Sequence, residues 1–429
     1  ALRYLEAYRQ AIHAIGSTGP FDDVFAAPSI SVKLSALHPR YEHAKRERVF
    51  AELGPRLLEL SQLAKRYGIG LTIDAEESDR LEMSLDLIFR VLEDPSLTGW
   101  NGFGIVVQAY QKRAPFAIDF IADRARALSR RIPVRLVKGA YWDSEIKRAQ
   151  VDGQAGYPVF TRKPNTDVSY QACARRLLDA TDAIYPMFAT HNAQTIAAIH
   201  RMASALLPSP ARGRGAGGEG VRADEGARAD ESRSPRSREQ QGYEFQKLHG
   251  MGDDLYAEVI PADRLNVPCR VYAPVGSHED LLPYLVRRLL ENGANSSFVN
   301  RITDEAVSID DLIRDPVETV SAFDSIPHPR IPQPVALYRS FIALDSSNDR
   351  DNSMGLNLAN DAQLRALAEQ INAAGAGAWT AAPLVPGATI SGEKIPVANP
   401  ADRREIVGHW QAADSATVEQ ALQNAIAAQ

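Results

Sequence analysis

The chain has 429 residues, 45% hydrophobic and 24% charged, with a formal net charge of −6. Such a length fits two or three domains or one barrel with additions, and the mild negative balance makes no global case for nucleic acid or an anionic membrane surface. Cys173 and Cys269 are the only cysteines, without a CxxC, and no run approaches the roughly 18 apolar residues of a membrane span, so a disulfide framework and a membrane-spanning class are set aside and a reducing compartment fits.

The chain opens without Met inside an amphipathic helix (2–16), shows no secretory signal, and stops inside another helix; it reads as a piece of a longer polypeptide. Apolar, β-rich runs then recur near 29–34, 69–74, 104–109, 133–138, 184–190, 243–248 and 268–273. Amphipathic helices are expected near 45–66, 78–93, 114–130, 166–179, 192–205 and 277–292. Near-continuous apolar strands alternating with helices indicate an α/β fold with a parallel sheet. No strand is followed by GxGxxG, so a Rossmann site is not indicated. Seven strands are one short of a (β/α)8 barrel, so the expectation is a distorted TIM-type barrel whose first strand would lie before residue 1. An open doubly wound sheet is the alternative.

Residues 207–242, rich in Gly, Pro, Ser, Arg and Glu, have no hydrophobic period and read as a disordered insertion at the bottom of the barrel. Their arginines alternate with acids, which argues against a nucleic-acid arm. Residues 305–350 read as a linker. Residues 351–429 begin something new, with a helix near 361–374, a strand-like stretch and a final helix from Ser415, too short for a complete catalytic domain.

Every strand ends on polar residues. In order these are Lys33; Asp74 with Glu76 and Glu77; Gln108; Arg135 and Lys138 before Gly139-Ala140-Tyr141-Trp142; Thr190-His191-Asn192; Gln246 and His249; and Tyr272. Singly, each fits a core or capping role, and Asn192 is placed to cap a helix. A full ring points to an active face at the strand C-termini. It holds no HxH or His/carboxylate spacing for a catalytic metal. Lys33 leaves a Schiff-base lyase open. The cations Lys33, Arg135, Lys138, Arg287 and Arg288 suit a ligand with several anionic groups, such as a phosphate-bearing cofactor beside a carboxylate substrate. Gly139 and Ala140 let backbone approach a flat ring. Tyr284, Arg287, Arg288 and Glu291 form one polar stripe on an otherwise apolar helix, read either as a solvated face or as a seat for a planar anion.

The segments "SVKLSALHPRY", "IDAEESDRL", "VVQAYQKR", "RLVKGAYWDSEIKRAQ", "FATHNAQT", "YEFQKLHGMG" and "RVYAPVGSHEDLLPYLVRRLLENGANSSFVNR" together resemble the proline dehydrogenase domain of the bifunctional proline utilization A flavoenzymes. The resemblance covers about 1–330 (barrel 1–304), and the tail from 331 resembles the start of the adjoining aldehyde dehydrogenase domain. It implies a barrel that binds FAD and oxidises L-proline to 1-pyrroline-5-carboxylate. Arg287, Arg288 and Lys33 would hold the proline carboxylate, with Tyr272 and Tyr284 walling the ring. Asp74, Tyr141 and Leu136 would lie around the substrate, and Arg135 beside the flavin N5. The remaining FAD positions implied are Gln108, Val137, Lys138, Gly139, Ala140 and Trp142, then Thr161 and Lys163, then Thr190, His191, Asn192, Gln246 and Glu291. NAD belongs to the parent's second domain. The resemblance further implies a quinone acceptor reached by peripheral membrane association from the cytoplasm, a homo-oligomeric parent, and DNA binding only where a parent carries an N-terminal module. Without the first strand, an inactive fragment with an exposed sheet edge stays open.

Overall fold

The computed structural model describes residues 1–206, 242–276, 279, 281–282, 284–286, 307–339, 350–375 and 379–428. They divide into two units, Ala1–Leu356 and Asn357–Gln429. The first carries α1 (Leu2–Gly16), β1 (Ser29–Val32), α2 (Leu34–Leu37), α3 (Arg46–Tyr67), β2 (Gly70–Ile73), α4 (Leu81–Leu92), β3 (Phe103–Gln108) and α5 (Ala114–Ala127). There follow β4 (Ile132–Val137), α6 (Trp142–Val151), α7 (Lys163–Asp179), β5 (Ile184–Ala189), α8 (Ala193–Leu206), β6 (Glu244–Leu248), α9 (Asp253–Ala257) and β7 (Cys269–Tyr272). Two short helices, α10 (Ile309–Ile313) and α11 (Pro316–Ser321), complete it. The observed strands lie within two residues of the expected ones. Helix α6 was not foreseen from periodicity, and most of the helix expected near 277–292 lies outside the described residues, as does 207–241.

The seven strands pair in parallel and in chain order, β1 through β7. A doubly wound sheet would reverse its strand order at a switch point; this one does not. The sheet is curled, because strands far apart in that order touch. Ser31 of β1 meets Arg135 of β4 at 2.6 Å, and Tyr272 of β7 meets Asp74, just past β2, at 3.3 Å. Strand alternation sorts the residues. Ile30, Val32, Leu71, Ile73, Ile105, Val107, Val134 and Leu136 face outward into a core shared with Leu53, Leu57 and Leu60 of α3, Ile118 and Ile121 of α5, and Leu177 of α7. The outward faces are apolar because helices cover them, and the inward faces are free to carry polar groups. This is the α/β half-barrel expected of a TIM-type fold.

The inside of the sheet at its N-terminal end is filled by a layer that sequence periodicity did not flag. Phe25 stacks on Tyr185, ring centroids 4.5 Å apart, and packs with Met187. Beside them Arg270 of β7 donates to Glu244 of β6 at 2.8 Å, and to the carbonyls of Ala27 and Phe25 at 2.5 Å each. Glu244 is fully buried. One guanidinium therefore joins the edge strand β7 to the chain entering the other edge strand, β1.

The stretch expected as a linker packs on the first unit over much of its described length. The Tyr157 hydroxyl donates to the Pro332 carbonyl at 2.6 Å, and Ile331 joins a small cluster of Tyr110, Ile146, Ala149, Tyr157 and Val159. Just beyond that stretch, Asn352 donates to the carbonyls of Gln150 and Pro334, and the Gly355 amide donates to Gly153 at 2.9 Å. The two backbones approach so closely here that a Cβ on Gly355 would lie 1.9 Å from the Asp152 carbonyl oxygen.

The second unit holds α12 (Asp361–Gly375), α13 (Ser415–Ala427) and a three-stranded sheet of β8 (Trp379–Ala381), β9 (Lys394–Ala398) and β10 (Ile406–Gln411), in the order β8-β10-β9. The helix expected at 361–374 and the one from Ser415 are both present, and the strand-like stretch is the hairpin-like pair β9 and β10. No helix among the described residues is long and apolar enough to cross a membrane.

Candidate active site

The C-terminal end of the sheet carries the cluster that the sequence points to, and Arg135 is its centre. It sits on the inner face of β4, almost wholly buried. Its guanidinium donates to Ser31 Oγ at 2.6 Å, lies 3.4 Å from Asp74 Oδ1, and stands 5.1 Å from the centre of the Tyr272 ring. The Tyr272 hydroxyl donates to Asp74 Oδ2 at 3.3 Å. Asp74 is anchored by its own amide, which donates to the Val32 carbonyl at 2.9 Å. Burial first, and then the negative charge of Asp74, push the Tyr272 phenol well above its ordinary range, so it stays a neutral donor at physiological pH. Tyr284 stands near enough to add to that shift.

Lys33 follows β1 directly, half-buried, and its amide donates to the Tyr8 hydroxyl of α1 at 3.1 Å. Glu76 and Glu77 do not join the centre. Glu76 accepts from the Ser35 amide at 3.0 Å and from Arg80 at 3.1 Å, which ties the loop after β2 to the start of α2. Leu136 alternates with Arg135 and packs with Ile132 and Val134 in the outward core, away from the Arg135 cluster. Arg287, Arg288 and Glu291 lie outside the described residues.

The loop after β4 forms one rim. Gly139 has φ +135°, and a Cβ there would meet the Tyr110 ring at 2.5 Å, so only glycine keeps this loop against the ring. Val137, Lys138, Ala140 and Tyr141 lie along this rim, with Lys138 paired to Asp167. Trp142 donates to the Phe160 carbonyl at 2.7 Å. Thr161 is buried, its Oγ1 accepting from the His328 amide at 2.9 Å, and Lys163 opens α7, exposed.

At the next strand ends, Gln108 accepts from Gln111 at 2.8 Å, and the Thr190 hydroxyl accepts from the Asn192 amide at 3.2 Å. The Leu248 amide donates to His191 Nε2 at 3.1 Å, which puts the neutral ring's proton on Nδ1. Asn192 Oδ1 accepts from the Thr195 amide at 3.0 Å, capping α8. Asn192→Ala is therefore expected to lower stability by about 1 kcal/mol, measured by urea unfolding. An unchanged midpoint would remove the capping role. Gln246 reaches down to Glu244 at 2.9 Å, so the structure groups it with the buried Arg270 layer.

Two features escaped sequence reasoning. Glu145 of α6 is buried and accepts from both the amide and the hydroxyl of Ser78 at 2.6 Å, fastening α6 to the loop after β2. Tyr110 is buried beneath Gly139. An acid in the first turn of α6 was the one available signal for Glu145, and nothing in periodicity marked Tyr110.

Chemically, the centre is an inward guanidinium fixed by a carboxylate and a hydroxyl, with Nε buried and without a hydrogen-bond partner among the described residues. A buried donor without a partner is costly, so it suits a bound acceptor. A flat, electron-accepting ring system with anionic appendages fits this donor set. No group of three or more His, Cys, Asp or Glu among the described residues is arranged to hold a metal ion.

Comparison with known proteins bears on the same region. The family model described as proline dehydrogenase matches residues 1–212 and 223–301. The chain is 48% identical over 436 residues to the bifunctional protein PutA of Escherichia coli (strain K12), covering 99% of this chain and 30% of that protein. A crystal structure of a mutant proline utilization A from Bradyrhizobium japonicum aligns with a TM-score of 0.73 at 46% identity, over 86% of this chain and 34% of that one. Proline utilization A from Bdellovibrio bacteriovorus, inactivated by N-propargylglycine, aligns with a TM-score of 0.80 at 26% identity, over 100% of this chain and 41% of that one. The chain thus spans less than half the length of each of these relatives.

Proposed function

The chain belongs to the proline dehydrogenase family, and from that premise we propose that it is the part of a bifunctional enzyme that oxidises L-proline to 1-pyrroline-5-carboxylate using FAD. The observation that carries this reading is the buried Arg135 centre, held by Ser31, Asp74 and Tyr272, with Nε without a partner among the described residues. Bound FAD would supply the hydride acceptor, and it is the chemistry of the cofactor rather than of any side chain.

The chain's own residues orient and charge the site. Arg135 would place a fixed positive charge beside the bound cofactor, stabilising negative charge there, and Asp74 with Ser31 holds that guanidinium in one orientation. Tyr272 stays neutral and forms an aromatic wall, with Tyr284 and Tyr141 as further walls. Lys33, with Arg287 and Arg288, would seat the substrate carboxylate. Gly139 and Ala140 allow close approach of the ring. Lys138, Thr161 and Lys163 would meet the cofactor's phosphates, and Gln108, Val137, Trp142, Thr190, His191 and Glu291 its remaining edges. In the longer protein, a quinone would receive the electrons at the inner face of the cell membrane, and an NAD-dependent glutamate semialdehyde dehydrogenase would consume the product; homo-oligomerisation belongs to the same reading.

The test is the visible spectrum of the purified chain before and after anaerobic L-proline. A flavin band that bleaches, and activity lost on treatment with N-propargylglycine, are the expected results. A band that stays oxidised at high proline would exclude proline as donor, and a colourless protein that cannot be loaded would exclude FAD.

A further inference from the structure

We propose that residues Phe323–His328 are a strap that positions Thr161 and Lys163 for the cofactor's phosphate groups; this rests on the FAD reading above. The strap and its target are more than 150 residues apart in sequence, yet four contacts join them. The Arg162 guanidinium lies over the Phe323 ring, 4.1 Å from its centroid. Arg162 Nε donates to the Pro327 carbonyl at 3.2 Å, and Asn165 Nδ2 donates to the Ile326 carbonyl at 3.0 Å. The His328 amide donates to Thr161 Oγ1 at 2.9 Å.

The last contact decides the chemistry. A hydroxyl has one proton to give and lone pairs to receive. With Thr161 oxygen receiving from the His328 amide, its proton is directed to an outside acceptor, and a phosphate oxygen is such an acceptor. Arg162 stands between Thr161 and Lys163. Its fixation on Phe323 and Pro327 turns it toward the strap and sets the backbone from which its two neighbours project. Asn165, 5% exposed, fixes the first turn of α7 in the same way. None of the strap residues belongs to the proposed site, so they are positioning residues that act through Thr161 and Lys163. The contacts of Tyr157 with Pro332 and of Asn352 with Gln150 hold the chain that follows the strap.

The experiment compares wild type with Phe323→Ala and Asn165→Ala, and with Phe323→Trp as the conservative replacement. The chain is stripped of flavin and titrated with FAD, and amide hydrogen exchange is followed over 157–165. The alanine variants are expected to bind FAD about tenfold more weakly, the worth of one hydrogen bond to a charged group. Exchange across 157–165 should quicken, the KM for proline at saturating FAD should hold, and Phe323→Trp should restore binding. FAD affinity within twofold of wild type, with or without faster exchange, would overturn the strap while leaving the FAD reading intact. Wild type that binds no FAD would overturn both. Should an alanine variant not fold, Phe323→Leu, which keeps the apolar contact and loses the ring, is read by the same two criteria.

Discussion

Arg270→Met is expected to be the most destabilising single change in the barrel, costing about 3–5 kcal/mol, the usual penalty for leaving a buried charge without its partner. Glu244 is fully buried, and Arg270 is its ion-pair partner at 2.8 Å. Arg270 also donates to the Phe25 and Ala27 carbonyls, so the substitution deprives two backbone acceptors of their donor as well as breaking the ion pair. Methionine has similar length and no donor, which keeps the packing and isolates the electrostatic loss. Urea unfolding gives the measurement. The double variant Arg270→Met with Glu244→Gln should recover part of the loss, because it removes the orphaned charge. A single variant within about 1 kcal/mol of wild type would mean that the pair does not hold the sheet edges together.

Arg135→Met is expected to have the largest effect on chemistry. If Arg135 stabilises charge that develops on reduction, its removal should slow anaerobic flavin bleaching by proline by a factor on the order of 10² to 10³. Arg135→Lys keeps a charge but loses the rigid guanidinium whose Nη2 meets both Ser31 and Asp74, so an intermediate rate is expected. Stopped-flow absorbance at saturating proline reads the reduction step directly. A rate for Arg135→Met equal to that of wild type would remove Arg135 from the chemistry and leave it a structural partner of Asp74.

Much of the fold was legible because one local rule governs it. Apolar strand bodies such as "GIVVQA" and "PVRLVK" must be covered by helices, and that requirement gives the class and the strand limits nearly to the residue, while the strand order that separates a barrel from a doubly wound sheet comes from the structure. The polar strand ends were legible for the same reason: Lys33, Asp74, Gln108, Lys138 and Tyr272 close apolar runs at one end, and Arg135 interrupts one from within. Helix α6 was harder, since it is short and largely polar, and periodicity gives little signal for such a helix.

Local sequence determined the alternation that turns Arg135 inward and Leu136 outward, the glycine at 139, and the Asn192 cap, because each depends on neighbours within a few residues. Tertiary structure alone decided which inward residues meet. Asp74 holds Arg135 because β2 and β4 share a curled sheet. Glu244 is tolerable only because Arg270 arrives from the adjacent strand, and Arg270 is fully used only because the chain before β1 brings two carbonyls to it. The segment after residue 305 looked like a linker because it lacks periodicity; its order comes from backbone and side-chain contacts with Tyr157, Thr161 and Asn165, which no pattern within the segment itself encodes.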